Sequence, residues 1–181
     1  MWKKLTKKKG DDGKSDLYGF RTYKNHPSFV MMNKLDTVLV ESGIAKLEQT
    51  SQNKRILAND IHIKVSATVR SLMGLISGFT KDSQSFEQDV EEIMETYNFV
   101  TDRASETTEF PMDWTTYGDD ERVYFDKVST TIRDVESFYI GNSDLIKQTF
   151  NNDVDTKQIH KNILELLNRL SKLYFVLARM N

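Results

Sequence analysis

Apolar residues return at helical spacing along most of this chain, and the final run is the most regular. Ile159, Ile163, Leu166, Leu170, Leu173, Leu177 and Met180 alternate steps of four and three, which is a coiled-coil seam held for about three heptads. Leu167, Tyr174 and Val176 widen the stripe. The spacing therefore predicts a helix over 156–180 that forms an oligomer or core seam, filling a bundle or packing on two sides.

Upstream, Phe125, Val128, Ile132, Val135 and Tyr139 predict a helix that opens on Asp119, Asp120 and Glu121 and stops at Gly141. Phe86, Val90, Ile93, Met94, Tyr97 and Val100 predict another, with Ser85 and Gln88 as a capping box. A loop over 104–118 joins the two and carries Phe110, Pro111, Trp114 and Tyr117. Loops of that length are commonly functional, so Phe110, Trp114 and Tyr117 are candidates for gripping a partner or plugging the bundle end.

Pro27 suits a first helical turn, and Met31, Leu35, Val38 and Leu39 form the stripe that follows, with Gly43 as an interruption. Residues 55–79 carry two periods at once. Ile61, Ile63, Val65, Ala67 and Val69 alternate as in a half-buried strand, while Leu57, Ile61, Val65, Val69, Leu72 and Ile76 step as in a helix. A lone strand needs a partner, and the only other short candidate is Arg122–Val128. Helix is favoured. The fold class is mainly α: an antiparallel bundle of four to six helices, residues 27–181, behind a flexible basic arm, residues 1–26, with a short β element near 61–69 as the alternative.

Charge adds a second layer. Residues 1–34 carry nine Lys/Arg against three Asp/Glu, whereas residues 82–126 carry two against fourteen, so the net charge of −2 hides a basic leader and an acidic middle. Trp2, Lys3, Lys4, Lys7, Lys8, Lys9 and Lys14 make the leader a candidate site for an anionic partner: a membrane surface, nucleic acid or a neighbouring acidic subunit. Glu87, Asp89, Glu91, Glu92 and Glu95 read as a solvated helix face. The absence of cysteine excludes disulfides and thiolate chemistry. No apolar run reaches the ~18–20 residues of a membrane span, and no secretory signal follows the charged start.

Catalytic patterns are sparse. Gly13-Lys14-Ser15 has the end of a phosphate loop without the preceding strand or the first glycine spacing, and reads as a flexible turn. Glu92 and Glu95 form E-x-x-E as in all-α nucleotide pyrophosphohydrolases, but no second E-x-x-D follows. His26, His62 and His160 share no metal spacing. The expectation is a non-enzymatic structural or assembly protein of the kind found in viral or phage virions, without cofactors or an evident small-molecule substrate. Its partners would be proteins or further copies of itself, and its location cytoplasmic or virion-associated. A regulatory module docking through the acidic face is the first alternative. A metal-dependent phosphohydrolase using Glu91, Glu92 and Glu95 is the second.

Overall fold

The computed structural model describes residues 12–17, 20–78, 84–107, 120–150 and 155–180. Within them the chain forms a hairpin, β1 (Lys14–Leu17) and β2 (Phe20–Tyr23), and five helices. These are α1 (Pro27–Leu47), α2 (Gln52–Ile76), α3 (Gln84–Thr107), α4 (Arg122–Lys147) and α5 (Thr156–Leu177).

Local chemistry sets the helix starts. Pro27 occupies the first turn of α1, and His26 Nδ1 accepts from the Ser28 amide at 3.3 Å. The Asp120 carboxylate accepts from the Arg122 amide at 2.8 Å, and Asp155 accepts from the amides of Lys157 and Gln158 at 3.0 and 3.1 Å. Each satisfies a donor that the first helical turn leaves open.

The helices form a ring in the order α1, α2, α3, α5, α4 and back to α1. All neighbours are antiparallel except α3 and α5. The chain fold therefore has two ends. At one, Ser28 Oγ and Thr149 Oγ1 lie 3.2 Å apart while Thr149 donates to the Ile76 carbonyl at 2.6 Å, tying α1, α2 and α4 together. At the other, the Thr50 amide and hydroxyl both donate to Glu121, fastening the α1–α2 turn to the start of α4. All six seam residues from Ile159 to Leu177 are buried within this one chain, because α5 packs on α3 and α4 and reaches α1 through Tyr174.

Several local expectations shift. Residues 61–69 lie inside α2, and Arg122–Val128 opens α4; the two strands sit instead at 14–17 and 20–23. The alternation over 61–69 is not a burial pattern: Ile61, Val65 and Val69 are buried at helical spacing, while Ile63 is 58% exposed and Ala67 is exposed too. Gly43 and Gly141 do not interrupt their helices. A single helical glycine costs about 1 kcal/mol, which the packing of Ala45 and Ile146 beyond them offsets. Ser85 lies within α3 rather than capping it, and α3 runs on to Thr107, into the stretch read as loop. No helix among the described residues is long and apolar enough to cross a membrane.

Candidate functional site

The hairpin concentrates the chemistry of the basic leader. Its register pairs Lys14 with Tyr23, Ser15 with Thr22, Asp16 with Arg21 and Leu17 with Phe20. Alternation then places Asp12, Lys14 and Asp16 on one face with Arg21 and Tyr23, while Leu17 is buried on the other. The Lys14 ammonium stands 4.8 Å from the centroid of the exposed Tyr23 ring.

The turn before β1 is braced from within. Gly13 has φ +72°, a conformation open to glycine and strained for other residues, and a Cβ there would meet nothing within 4 Å. Asp12 Oδ1 accepts from the Lys14 amide at 3.1 Å, and Gly13 O accepts from the Lys24 amide at 2.8 Å. Arg21 forks across the strands: Nη2 reaches Asp12 at 3.0 and 3.2 Å, and Nη1 reaches Asp16 at 3.1 Å. The Lys14 amide, and then Arg21, hold the Asp12 carboxyl below its ordinary range; Asp12 and then Asp16 raise Arg21. The result is a glycine turn with one lysine and a guanidinium on its exposed face, a surface suited to a phosphate group.

A cavity of about 640 Å³ opens at the opposite end of the bundle. Leu57, Phe99, Phe125, Leu177 and Met180 supply apolar walls, and Lys54, Asp60 and Arg103 the polar rim. Its size suits a small-molecule moiety. Beside it the Arg179 and Asp126 side chains, 6% and 7% exposed, pair at 2.7 Å. Between the two ends, Glu41 accepts from Thr131 and pairs with Lys127 at 3.4 Å, and Lys34 pairs with Asp134, joining α1 to α4.

A second buried polar chain crosses from α5 to α2. Ser42 Oγ lies 2.5 Å from the Tyr174 hydroxyl and 3.0 Å from His62 Nδ1. Burial pushes Tyr174 well above the usual phenol range. Burial, then the charges of Lys46 and Arg70, hold His62 below its ordinary 6.5. With His62 neutral and Nδ1 unprotonated, Tyr174 can donate to Ser42 and Ser42 to Nδ1, which satisfies all three groups. Because folding lowers this pKa, the unfolded chain binds more protons in the window below 6.5, so stability falls as pH drops through it. Urea midpoints measured from about pH 5 to about pH 7.5, across the imidazole range, will decline toward acid in the wild type. In His62→Gln the decline over that window will be shallower; an unchanged slope would exclude His62 as the group responsible.

Of the residues singled out by sequence, the structure brings Lys14 onto the hairpin face and the seam into the core. Trp2, Lys3, Lys4, Lys7, Lys8, Lys9, Phe110, Trp114 and Tyr117 lie outside the described residues. Glu92 pairs with Lys64 at 3.2 Å, and Lys64 also donates to Thr96 at 3.0 Å, so this part of the E-x-x-E pair serves as an α2–α3 contact. Among the described residues no three His, Asp or Glu side chains form a group able to hold a metal ion. Sequence reasoning missed Arg21; its signal was the D-x-x-x-D pattern of Asp12 and Asp16 facing a basic residue across a short turn.

A family of enzymes accounts for this architecture. The cobalamin adenosyltransferase model matches residues 5–181, and the chain belongs to that family. Among solved structures it is similar to a variant of the PduO-type ATP:co(I)rrinoid adenosyltransferase of Lactobacillus reuteri complexed with ATP, at TM-score 0.71 and 19% identity over 95% of this chain and 90% of that one. Two further variants of the Lactobacillus reuteri protein, complexed with cobalamin and ATP, give TM-scores of 0.68 and 0.69 at 18% identity. They cover 97% of this chain and 91% and 89% of theirs, and at such identity they show a shared fold. No curated protein sequence matches the chain.

The family overturns the expectation of a non-enzymatic virion or assembly protein, and with it both alternatives, the acidic docking module and the phosphohydrolase. It equally overturns the expectation that no small molecule is a substrate, since the similar structures hold ATP and cobalamin. The segregated charge was real; its reading as a docking device was wrong, because charge alone does not distinguish a macromolecular surface from a polyphosphate.

Proposed function

We propose that this chain transfers the adenosyl group of ATP to the cobalt of a reduced corrinoid. The observation that carries the reading is the family match over residues 5–181. In this reaction the electron pair of cobalt(I) forms a bond to the 5′ carbon as the bond from that carbon to the phosphate oxygen breaks. Triphosphate leaves with the bonding pair, so no proton, oxidant or further reductant enters the transfer step.

The protein's tasks are then positional and electrostatic: hold the triphosphate so that it departs in line, and steady the charge it gains. The hairpin supports the first task, with Gly13 opening the backbone and Lys14 beside it. The lysines of the leader, Lys3, Lys4, Lys7, Lys8 and Lys9, with Trp2 among them, are assigned to the same anionic ligand. An ATP-consuming activity fits a cytoplasmic location.

The test is direct. The full chain, mixed with ATP, a divalent cation and chemically reduced cobalamin, is expected to convert the corrinoid to its adenosylated form and release one triphosphate per product. Absence of any ATP-dependent change in the corrinoid spectrum, with the reduced corrinoid demonstrably present, would overturn the proposal.

A further inference from the structure

We propose that Arg21 is a positioning residue for the polyphosphate: it screens Asp12 and Asp16 from the incoming anion and fixes the turn that presents Lys14. This inference rests on the preceding reading of the hairpin as the phosphate-binding element.

The geometry contains a conflict that Arg21 relieves. Two carboxylates, Asp12 and Asp16, stand on the same exposed face as Lys14. A polyphosphate approaching that ammonium must also approach them, and each repels it. Arg21 lies across the strands from Asp16 and diagonal to Asp12, and its two terminal nitrogens engage one carboxylate each. A planar fork can do this at two separated sites, whereas a lysine ammonium is a single point charge.

The same contacts fix shape. Asp12 accepts from both the Lys14 amide and Arg21, so the carboxylate that shapes the turn at Gly13 is itself held by the guanidinium. Without Arg21, Asp12 keeps its bond to the Lys14 amide but loses its cross-strand anchor. The charge of the described segment from Asp12 to Lys24 also changes character: Lys14, Arg21 and Lys24 against Asp12 and Asp16 gives a net positive surface, and losing Arg21 makes it neutral. Arg21 itself is partly exposed, with 36% of its side-chain surface accessible, so its replacement leaves the bundle core untouched.

The experiment pairs steady-state kinetics with binding of inorganic tripolyphosphate by calorimetry. Arg21→Gln is expected to raise KM for ATP about tenfold and to weaken tripolyphosphate by a similar factor, as two nearby carboxylates lose the guanidinium they contact. The corrinoid KM should stay within about twofold, and kcat should hold, because the loss falls on substrate binding. Adding Asp16→Asn to Arg21→Gln should recover part of the lost affinity, a rescue that a merely structural role would not give. Arg21→Lys should fall between the wild type and Arg21→Gln. An Arg21→Gln protein with wild-type affinity for both ATP and tripolyphosphate would overturn the inference, as would a uniform loss of kcat and both KM values without rescue. If the wild type binds tripolyphosphate in an Arg21-dependent way but transfers no adenosyl group, the activity reading fails and this one stands.

Discussion

Replacing Asp126 with alanine will lower the free energy of unfolding by about 3–5 kcal/mol, seen as a reduced urea midpoint at unchanged slope. Asp126 is 5% exposed and its carboxylate lies 2.7 Å from Arg179 Nη1, itself on a side chain of equal burial. That nitrogen also donates to the Phe175 carbonyl at 2.9 Å, and the guanidinium lies 3.5 Å from the centroid of the Phe175 ring. The alanine variant removes the carboxylate from a buried guanidinium that keeps its contacts with the Phe175 carbonyl and ring, and the cost is that of breaking a buried pair from one side. A double change, Asp126→Leu with Arg179→Met, removes both charges at similar volume and is expected to recover most of the loss. A loss below about 1 kcal/mol in the single variant is what an exposed pair gives, and would show that solvent reaches this end of the bundle.

Asp126 also marks where the sequence stops being legible. It sits at the end of the acidic stretch 82–126, and by charge alone it belongs with Glu91 and Glu95 on a solvated surface. Its helical position beside Phe125 turns it inward, and its partner lies 53 residues further along the chain. No local pattern encodes a pairing at that separation. The seam of α5 was legible for the opposite reason: every residue from Ile159 to Leu177 reports its burial through spacing that the helix itself imposes. The bundle class follows from such stripes, while residues 61–69 mislead because Ile63 and Ala67, apolar but exposed, complete an alternation that burial does not follow.

The candidate site was half legible. Gly13, Lys14 and Ser15 stand out as a fragment of a phosphate loop, but the first glycine of that motif is missing and no hydrophobic strand precedes them. The structure gives a different scaffold for the same residue types: a hairpin, with Gly13 just before β1 and Arg21 returning on β2. A motif defined by one scaffold cannot report a turn built on another. The family match spans residues 5–181 rather than these three residues alone.

Lys14→Ala will raise KM for ATP by about ten- to a hundredfold, the range for losing one charge-assisted hydrogen bond to a charged group. The Lys14 backbone is held independently of its side chain, through the hydrogen bond its amide donates to the Asp12 carboxylate and its pairing with Tyr23, so truncation removes the ammonium without undoing the turn. The side chain is also preplaced: its ammonium rests over the Tyr23 ring, which limits the rotamer entropy lost on binding. Tripolyphosphate affinity should fall in parallel, and its dependence on salt should become shallower as one cation leaves the site. Lys14→Arg keeps the charge and should retain most of the affinity. Tyr23→Leu removes the ring that holds the ammonium and should cost less than Lys14→Ala. Should Lys14→Ala bind ATP and tripolyphosphate within about twofold of the wild type, a difference of ~0.4 kcal/mol, the hairpin would not be the polyphosphate site. The lysines of residues 3–9 provide the control for that outcome. Neutralising them should weaken binding and make its dependence on salt shallower still, as fewer cations attract the anion, while leaving the effect of Lys14→Ala at low salt in place.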